Sequence, residues 1–286
     1  MANLKEIRNR ITSIGSTMQI TSAMKMVSAA KLKKAQDAIT AMRPYANKLT
    51  ELLQNLSATL EGDLGGAFTT QREVNKVLLV SISSNRGLCG GFNSYIIKKT
   101  ISVIENEYKD KEVSIIAIGK KVNDILSKNY NVISEKNEIF DDLTFDNSSL
   151  IAQEIMNRFV AGDFDKVELV YNVFKNAATQ IPTVEAFLPI KKTESETTTS
   201  LDYLFEPSKV EIVEGLIPKS LKMKLFKALR DSYAAEHGAR MTAMHKATDN
   251  AGELRDELLL QYNKARQAAI TGEILEIVGG SEALNN

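Results

Sequence analysis

The stretch LKEIRNRITSIGSTMQITSAMKMVSAAKLKKAQ (residues 4–36) decides the fold of this chain. Its apolar residues recur at alternating steps of three and four, the heptad pattern of a coiled-coil helix. One register continues to residue 60, and the helix would be about 85 Å long. Pro44 predicts a kink or local unwinding within it. The positions in register are Leu4, Ile7, Ile11, Ile14, Met18, Thr21, Lys25, Ser28, Leu32, Ala35, Ile39, Met42, Ala46, Leu49, Leu53, Leu56 and Leu60. No globular core needs so long a helix, so the pattern indicates pairing with another helix.

The C-terminal part predicts a second long helix. Pro218 suits its first turn, and no proline follows. A second heptad seam, made mostly of small residues, contains Met244, Ala247, Ala251, Leu254, Leu258, Gln261, Ala265, Ala268, Gly272 and Leu275. The helix glycines Gly238, Gly252 and Gly272 are either required for close packing or merely tolerated. Two heptad segments at opposite ends of one chain predict an antiparallel coiled coil of residues 1–60 and 215–286.

The middle of the chain, residues 74–205, predicts an α/β domain. Strand-like runs at 75–83, 113–119 and 165–174 alternate with helical segments at 94–109, 120–128 and 148–160. This alternation indicates a mainly parallel, Rossmann-like sheet. The run TQIPTVEAFLPI (179–190) contains two prolines and predicts an edge strand, whereas KKTESETTTS (191–200) predicts a mobile loop.

Composition and charge narrow the function classes. The chain has 286 residues with 36 basic and 36 acidic side chains, so no global field favours nucleic acid or anionic lipid. No run approaches the roughly 20 apolar residues of a membrane span, and the N-terminus is unlike a secretion signal, so we expect a soluble or peripheral protein. The single cysteine excludes an intrachain disulfide.

The loop SSNRGLCGGFN (83–93) is the one glycine-rich segment between a predicted strand and a predicted helix. Its glycine spacing fits neither GxxxxGK[ST] nor GxGxxG, so a structural turn or a protein contact is favoured over a nucleotide site. Cys89 would need a base to become a nucleophile. The two histidines, His237 and His245, are eight residues apart on the second helix, which excludes an i, i+4 metal pair; we interpret them as surface or seam-flanking side chains. We expect no catalytic residue, cofactor or metal.

The first helix is basic. Residues 1–60 contain nine Lys or Arg and three acidic residues, a net charge of +6. The cluster of Lys31, Lys33 and Lys34 is interpreted either as a solvated face or as a contact for acidic protein loops. These features favour a mechanical or interaction role over an enzyme. On the heptads alone, a coiled-coil scaffold or tether remains the alternative, and the α/β domain leaves open a small nucleotide-dependent enzyme.

Three passages resemble the gamma subunit of the F-type rotary ATP synthase. They are residues 4–36 with RPYA (43–46), the loop 83–93, and GARMTAMHKATDNAGELRDELLLQYNKARQAAITGEILEIVGG (238–280). The resemblance therefore covers essentially the whole chain, and the third passage is the most specific. It implies terminal helices wound together as a coiled coil and flanked by the α/β domain.

The resemblance also implies a role and partners. The chain would be the central rotor shaft of a proton-translocating ATP synthase, inside a ring of three alpha and three beta subunits. It would couple c-ring rotation to conformational change at the beta catalytic sites, without catalysis or a cofactor of its own. The c ring and the epsilon subunit are the other expected partners, and no nucleic acid is expected. The expected location is peripheral, on the cytoplasmic face of a bacterial inner membrane, with membrane association only through the c ring.

The family's functional positions can be transferred by motif. Rotor–stator coupling positions fall on Met24 in SAMKMV, on Arg240 in GARM, and on Gln267, Thr271 and Glu273 in RQAAITGE. Contacts with the acidic lever loops of beta are expected at Lys31, Lys33, Lys34 and Cys89, and the foot on the c ring at Tyr203 and Glu206. Helix geometry separates Arg240 from Gln267 by about 40 Å, so these two residues are expected in separate contact patches.

Overall fold

The computed structural model describes residues 4–59, 66–190 and 209–285. The predicted loop 191–200 and the candidate foot residues Tyr203 and Glu206 lie outside the described residues. The chain divides into two compact units. The first unit comprises Met1–Ser28 and Met241–Asn286, and the second comprises Ala29–Arg240. Each unit is described separately below.

Two long helices account for both ends of the chain. Helix α1 spans Leu4–Thr59 and continues through Pro44, and helix α5 spans Lys209–Asn285. Because α5 begins at Lys209, Pro218 lies inside the helix, and the prediction that it occupies the first turn is wrong. A proline in a helix interior costs about 3 kcal/mol. Here the neighbouring Ile217 and Leu221 are buried in the core, which offsets that cost.

In the first unit, the two helices pair in antiparallel orientation. Thr21 Oγ1 lies 2.8 Å from Thr248 Oγ1, and Lys25 Nζ lies 3.3 Å from His245 Nδ1. The residue numbers of the contacting partners therefore decrease along α5 as they increase along α1. From Leu4 to Leu49 the predicted α1 seam is confirmed, since every one of these positions is buried or partly buried. The last predicted positions, Leu53, Leu56 and Leu60, lie outside the side chains that the structure describes. At the polar seam positions Thr21 and Lys25, these hydrogen bonds replace apolar contacts between the helices.

The predicted α5 seam is partly wrong. Leu254, Gln261, Ala268 and Leu275 are exposed, and the packed stripe instead contains Ala251, Arg255, Leu258, Tyr262, Ala265, Ala269 and Gly272. This stripe keeps the heptad steps of three and four. At three positions it lies one residue after the predicted seam, at Arg255, Tyr262 and Ala269. Arg and Tyr carry long apolar bodies below their polar ends, so they pack in a seam that a simple polarity pattern assigns to other residues.

The second unit contains a five-stranded sheet, as the α/β prediction requires. The strands are β1 (Lys76–Ile82), β2 (Glu112–Ile118), β3 (Asn131–Glu135), β4 (Lys166–Phe174) and β5 (Gln180–Leu188), in the order β3-β2-β1-β4-β5. β1 to β4 are mutually parallel and β5 is antiparallel to β4. The predicted proline-containing edge strand is β5. The sequence pattern missed β3, a short strand without a fully buried residue.

Helices cover both faces of the sheet. They are α2 (Phe92–Asn106), α3 (Lys120–Leu126) and α4 (Phe145–Ala161). One face packs against α2 and α3, and the other packs against α4 and the part of α5 that contains Leu221, Leu225 and Leu229. The sheet is thus buried on both sides, which is why its strands read as continuous apolar runs. Within the described ranges, no helix has the length and apolar composition needed to cross a bilayer.

Candidate functional site

The glycine-rich loop between β1 and α2 is held by its own polar side chains. Ser84 Oγ donates a hydrogen bond of 2.6 Å to the carbonyl of Arg86, and the amide of Ser84 donates to Asn93 Oδ1 at 3.0 Å. Asn93 Nδ2 in turn donates to Cys89 Sγ at 3.2 Å. This internal bonding agrees with the interpretation of the loop as a structural turn.

Leu88 is the most unusual residue of that loop. Its φ angle of 61° lies in the left-handed region, and 64% of the residue is exposed. Left-handed backbone costs an L-residue other than glycine about 1–2 kcal/mol. Such strain persists only where surrounding structure holds it. Here the result is an apolar side chain that projects from the surface of the second unit.

Cys89, the lever-loop candidate in the same loop, is buried and only 1% exposed. Burial raises the pKa of the Cys89 thiol, although the nearby positive charge of Arg240 opposes this effect. The thiol is therefore neutral, inert and turned inward. A partner that approached this loop would meet Leu88 and Arg86, which are exposed.

Arg240, a predicted coupling position, is also buried, with 7% exposure. Its Nη2 atom donates to the carbonyls of Arg86 at 3.1 Å and of Gly87 at 3.3 Å, and Nε donates to Gly87 as well. The guanidinium thus binds the two backbone groups that precede Leu88. In this chain, Arg240 positions the strained loop.

A buried charged cluster on α5 surrounds the Arg240 guanidinium. Glu236 Oε1 lies 2.6 Å from Arg240 Nη1, and His237 Nδ1 lies 3.4 Å from the same atom. Burial raises the pKa of Glu236, against the attraction of Arg240 and Lys31. Burial lowers the pKa of His237 to about 3, with further lowering by Arg240 and Lys31. His237 is only 5% exposed, so of the two interpretations given for the histidines, surface or seam-flanking, the first is wrong for His237, whereas His245 is exposed.

The same part of α5 covers the carboxyl ends of β1 and β4, where ligands bind in open α/β sheets. Ala235 and Ala239 pack against Cys89 and Phe92, with Phe174 at the edge of the cluster. A Cβ atom on Gly238 would lie 3.1 Å from Ala177 Cα, a tight contact, so a glycine at this position favours close packing of α5. Helix α5 thus packs over this part of the carboxyl edge of the sheet.

The basic cluster on α1 is exposed. Lys31, Lys33 and Lys34 all present their side chains to solvent, and Lys33 makes only a loose 3.9 Å pair with Asp37. Exposed pairs of this kind contribute little stability, so these charges are available to a partner. Lys31 differs from the other two because its charge also reaches Glu236 and His237 on α5.

The remaining coupling candidates lie in the first unit. Gln267, Thr271 and Glu273 are exposed on α5, and Met24 on α1 is partly buried. Large apolar side chains on the same segment of α5 are exposed as well, namely Ile270, Ile274, Leu275, Ile277 and Val278. The three polar candidates thus lie among exposed apolar side chains on this segment of α5.

Comparison with known proteins identifies the family. The family model described as ATP synthase matches residues 3–284. An ATP synthase gamma chain from Flavobacterium johnsoniae is 70% identical, and the alignment covers 100% of both chains. Gamma chains from Cytophaga hutchinsonii, 50% identical over 100% of both chains, and from a Geobacter species, 45% identical over 99% of both, are also similar.

Solved structures agree at the level of the fold. A chain of the Euglena gracilis mitochondrial ATP synthase F1/c-ring structure matches with a TM-score of 0.70 and 21% identity, covering 98% of this chain and 94% of that one. A chain of the Tetrahymena thermophila central stalk/c-ring structure matches with a TM-score of 0.62 and 24% identity, covering 80% of this chain and 99% of that one. With the family model and the relatives, these matches lead to one conclusion: the chain belongs to the ATP synthase gamma chain family.

Proposed function

We propose that this chain is the central rotor shaft of an F-type, proton-translocating ATP synthase. The observation that supports this most directly is the antiparallel helix pair, with exposed apolar side chains near the end of α5, in a chain of the gamma family. The shaft couples rotation of a c ring to conformational change at catalytic sites on beta subunits. Coupling of this kind is a free energy between distant sites, carried by an element that favours different partner conformations at different angles.

The proposed role includes no catalysis and no cofactor. Nucleotide chemistry takes place on the partners, three alpha and three beta subunits, and the epsilon subunit and the c ring bind the shaft elsewhere. The chain is peripheral on the cytoplasmic face of the bacterial inner membrane and reaches the membrane only through the c ring. Functionally it divides into residues 1–60, 74–205 and 215–286, the first and last of which form one coiled-coil unit.

The proposed contacts fall into three groups. Met24, Gln267, Thr271 and Glu273 contact the stator ring directly, and the exposed apolar residues around Ile274 enter an apolar bearing. Lys31, Lys33 and Lys34 attract the acidic lever loops of beta. The loop containing Cys89 contributes Leu88 to that contact, since the thiol is buried and Arg240 holds the loop from beneath. Tyr203 and Glu206 form the foot on the c ring.

Reconstitution tests the shaft role. ATP synthase assembled with this chain should make ATP from a proton gradient, and assembly without it should abolish coupled synthesis. Purification should yield one copy of this chain with three copies of each ring subunit. Full coupling without the chain would refute the proposal. A self-associating dimer without stoichiometric ring subunits would instead favour the coiled-coil tether.

Variants test the contact groups. We expect simultaneous alanine substitution of Gln267, Thr271 and Glu273 to weaken coupling, whereas Asn263→Ala with Lys264→Ala, exposed on the same helix, is the matched control. For the loop, Leu88→Asp should weaken binding to the alpha–beta ring, and Leu150→Asp, at an equally exposed leucine on α4, should not. If a variant and its control changed coupling or ring binding equally, the corresponding residues would not be contacts with the alpha–beta ring.

A further inference from the structure

A stripe of five residues on α5 docks against loops of the α/β sheet. Phe226, Arg230, Tyr233, His237 and Arg240 follow one another at steps of four, three, four and three. This is heptad spacing, so all five lie on one face of the helix. We call these residues the anchor stripe. Its partners in the second unit are backbone carbonyls of loops and aromatic rings.

The two arginines of the stripe bind carbonyls at the carboxyl edge of the sheet. Arg230 Nη2 donates to the carbonyl of Leu143 at 2.6 Å, in the connection from β3 to α4. Arg240 donates to the carbonyls of Arg86 and Gly87, in the connection from β1 to α2. The arginines are ten residues apart, or about 15 Å along the helix. The sheet is thus tied to α5 at two separated points.

Aromatic contacts complete the stripe. The Phe226 ring meets Phe145, the first residue of α4, edge to face with centroids 5.7 Å apart, and the Arg230 guanidinium lies 4.9 Å from the Phe226 centroid. Tyr233 stacks on Phe140 at 6.4 Å and meets His237 edge to face at 4.4 Å. Every member of the stripe therefore contacts a neighbour or a loop, and the stripe forms one continuous surface.

The stripe adds something that the apolar core cannot supply. Leucines of α5 such as Leu221 and Leu225 bury apolar surface against the sheet, but the hydrophobic attraction itself is non-directional. Hydrogen bonds from a planar guanidinium have fixed directions and distances. Two such bonds at separate points on the helix resist rotation of the sheet about the helix axis.

We propose that Arg230 and Arg240 are positioning residues that lock the α/β domain to α5, so that torque applied to the domain reaches the helix without slip. The inference rests on the proposed shaft function and names the residues through which the domain and the helix turn together. Lys227 lies on the same helix with its side chain exposed, outside the stripe, and provides a matched control.

The test uses the assembled ATP synthase containing the Arg230→Met variant, which keeps an unbranched apolar stem but is shorter and lacks the charge and the hydrogen-bond donors. The ratio of protons pumped to ATP hydrolysed should fall below the wild-type ratio. With a bead on the α/β domain and the stator fixed, angular fluctuation during a catalytic pause should increase. Lys227→Met should leave both measurements at their wild-type values. A side chain that only stabilised the fold would not change the stiffness of an assembled, folded shaft.

A second variant covers the possibility that Arg230→Met does not assemble. Arg230→Lys keeps the charge and one donor on a more flexible stem, and it should give a pumping ratio and a stiffness between those of wild type and of full loss. Wild-type ratio and stiffness in every variant that assembles would overturn the inference, provided that the wild-type enzyme couples normally. Failure of the wild-type enzyme to couple with this chain would instead overturn the shaft proposal itself.

Discussion

Glu236 and Arg240 form a buried ion pair one turn apart on α5, with Oε1 and Nη1 separated by 2.6 Å and each side chain about nine-tenths buried. Removal of one partner from a buried pair leaves an uncompensated charge and costs about 3–5 kcal/mol. Arg240 keeps some compensation from the carbonyls of Arg86 and Gly87. The pair and the loop are therefore one structural unit.

We expect Glu236→Gln to lower the free energy of unfolding of the chain by about 3 kcal/mol, because the amide keeps the size of the side chain but not its charge. Urea unfolding followed by circular dichroism measures this loss. Glu253→Gln, at an exposed position on the same helix, should change stability by less than about 0.5 kcal/mol. Equal values for the two variants would show that the pair contributes no net stability.

The buried His237 side chain predicts that the free energy of unfolding depends on pH. Its pKa in the folded chain is lowered to about 3, mainly by burial and then by Arg240 and Lys31, so the unfolded chain binds the proton more readily. The stability that depends on neutral His237 is complete above the ordinary pKa of about 6.5 and is lost as pH falls toward the folded value. Between about pH 7.5 and about pH 5, wild type should lose about 2 kcal/mol through this group.

Comparison of variants isolates that effect. His237→Gln should remove the loss, so its stability should change less between these pH values than that of wild type. His245→Gln, at an exposed histidine on the same helix, should keep the wild-type profile. Glu236 and Tyr233 remain in all three proteins, so their own titration cancels in the comparison. Parallel profiles for wild type and His237→Gln would contradict the prediction.

The periodic parts of the fold were predictable from sequence, because period is a local property. The α1 seam and the strand–helix alternation of the middle domain follow directly from it. The α5 seam was harder to predict, because Arg255 and Tyr262 pack in it through the apolar parts of their side chains, whereas a polarity pattern counts both residues as polar. The anchor stripe was missed for the same reason: its heptad spacing is regular, but arginines and a histidine interrupt the apolar signal.

The candidate site was less predictable, because its key features depend on distant residues. A leucine disfavours left-handed backbone, so nothing local predicts the conformation of Leu88; Arg240, more than 150 residues away in the chain, holds the loop. Burial of Cys89 and His237 likewise follows from the packing of α5 on the sheet. Motif resemblance located Arg240 and the loop separately, and the structure brings them into contact.

Leu88 offers a test of stored strain. Asn adopts left-handed backbone more readily than Leu, so Leu88→Asn should raise the free energy of unfolding of the isolated chain by about 0.5–1 kcal/mol. The same variant should weaken binding to the alpha–beta ring, since it removes the exposed apolar side chain. Denaturant unfolding and binding of the ring to immobilised chain provide the two measurements. A variant that is less stable than wild type would show that Leu88 is not strained.

Two helix glycines should respond in opposite directions to a larger side chain. A Cβ atom at Gly238 would lie 3.1 Å from Ala177 Cα and 3.3 Å from the Phe174 ring, so Gly238→Leu should lower the free energy of unfolding by more than about 2 kcal/mol through overpacking. Among the described residues, a Cβ atom at Gly272 would meet nothing within 4 Å, so Gly272→Ala should gain the helix propensity of alanine, about 1 kcal/mol.

The two glycine effects need different measurements, because they fall in different units of the chain. Global unfolding by urea reports Gly238→Leu. Amide hydrogen exchange around residue 272 reports Gly272→Ala, and it should slow about fivefold, the factor that corresponds to about 1 kcal/mol. Gly252→Ala is an intermediate control, since its Cβ would make an ordinary contact of 3.9 Å with Met18 Sδ. If Gly238→Leu were neutral, close packing of α5 on the sheet would not be the reason for a glycine at that position.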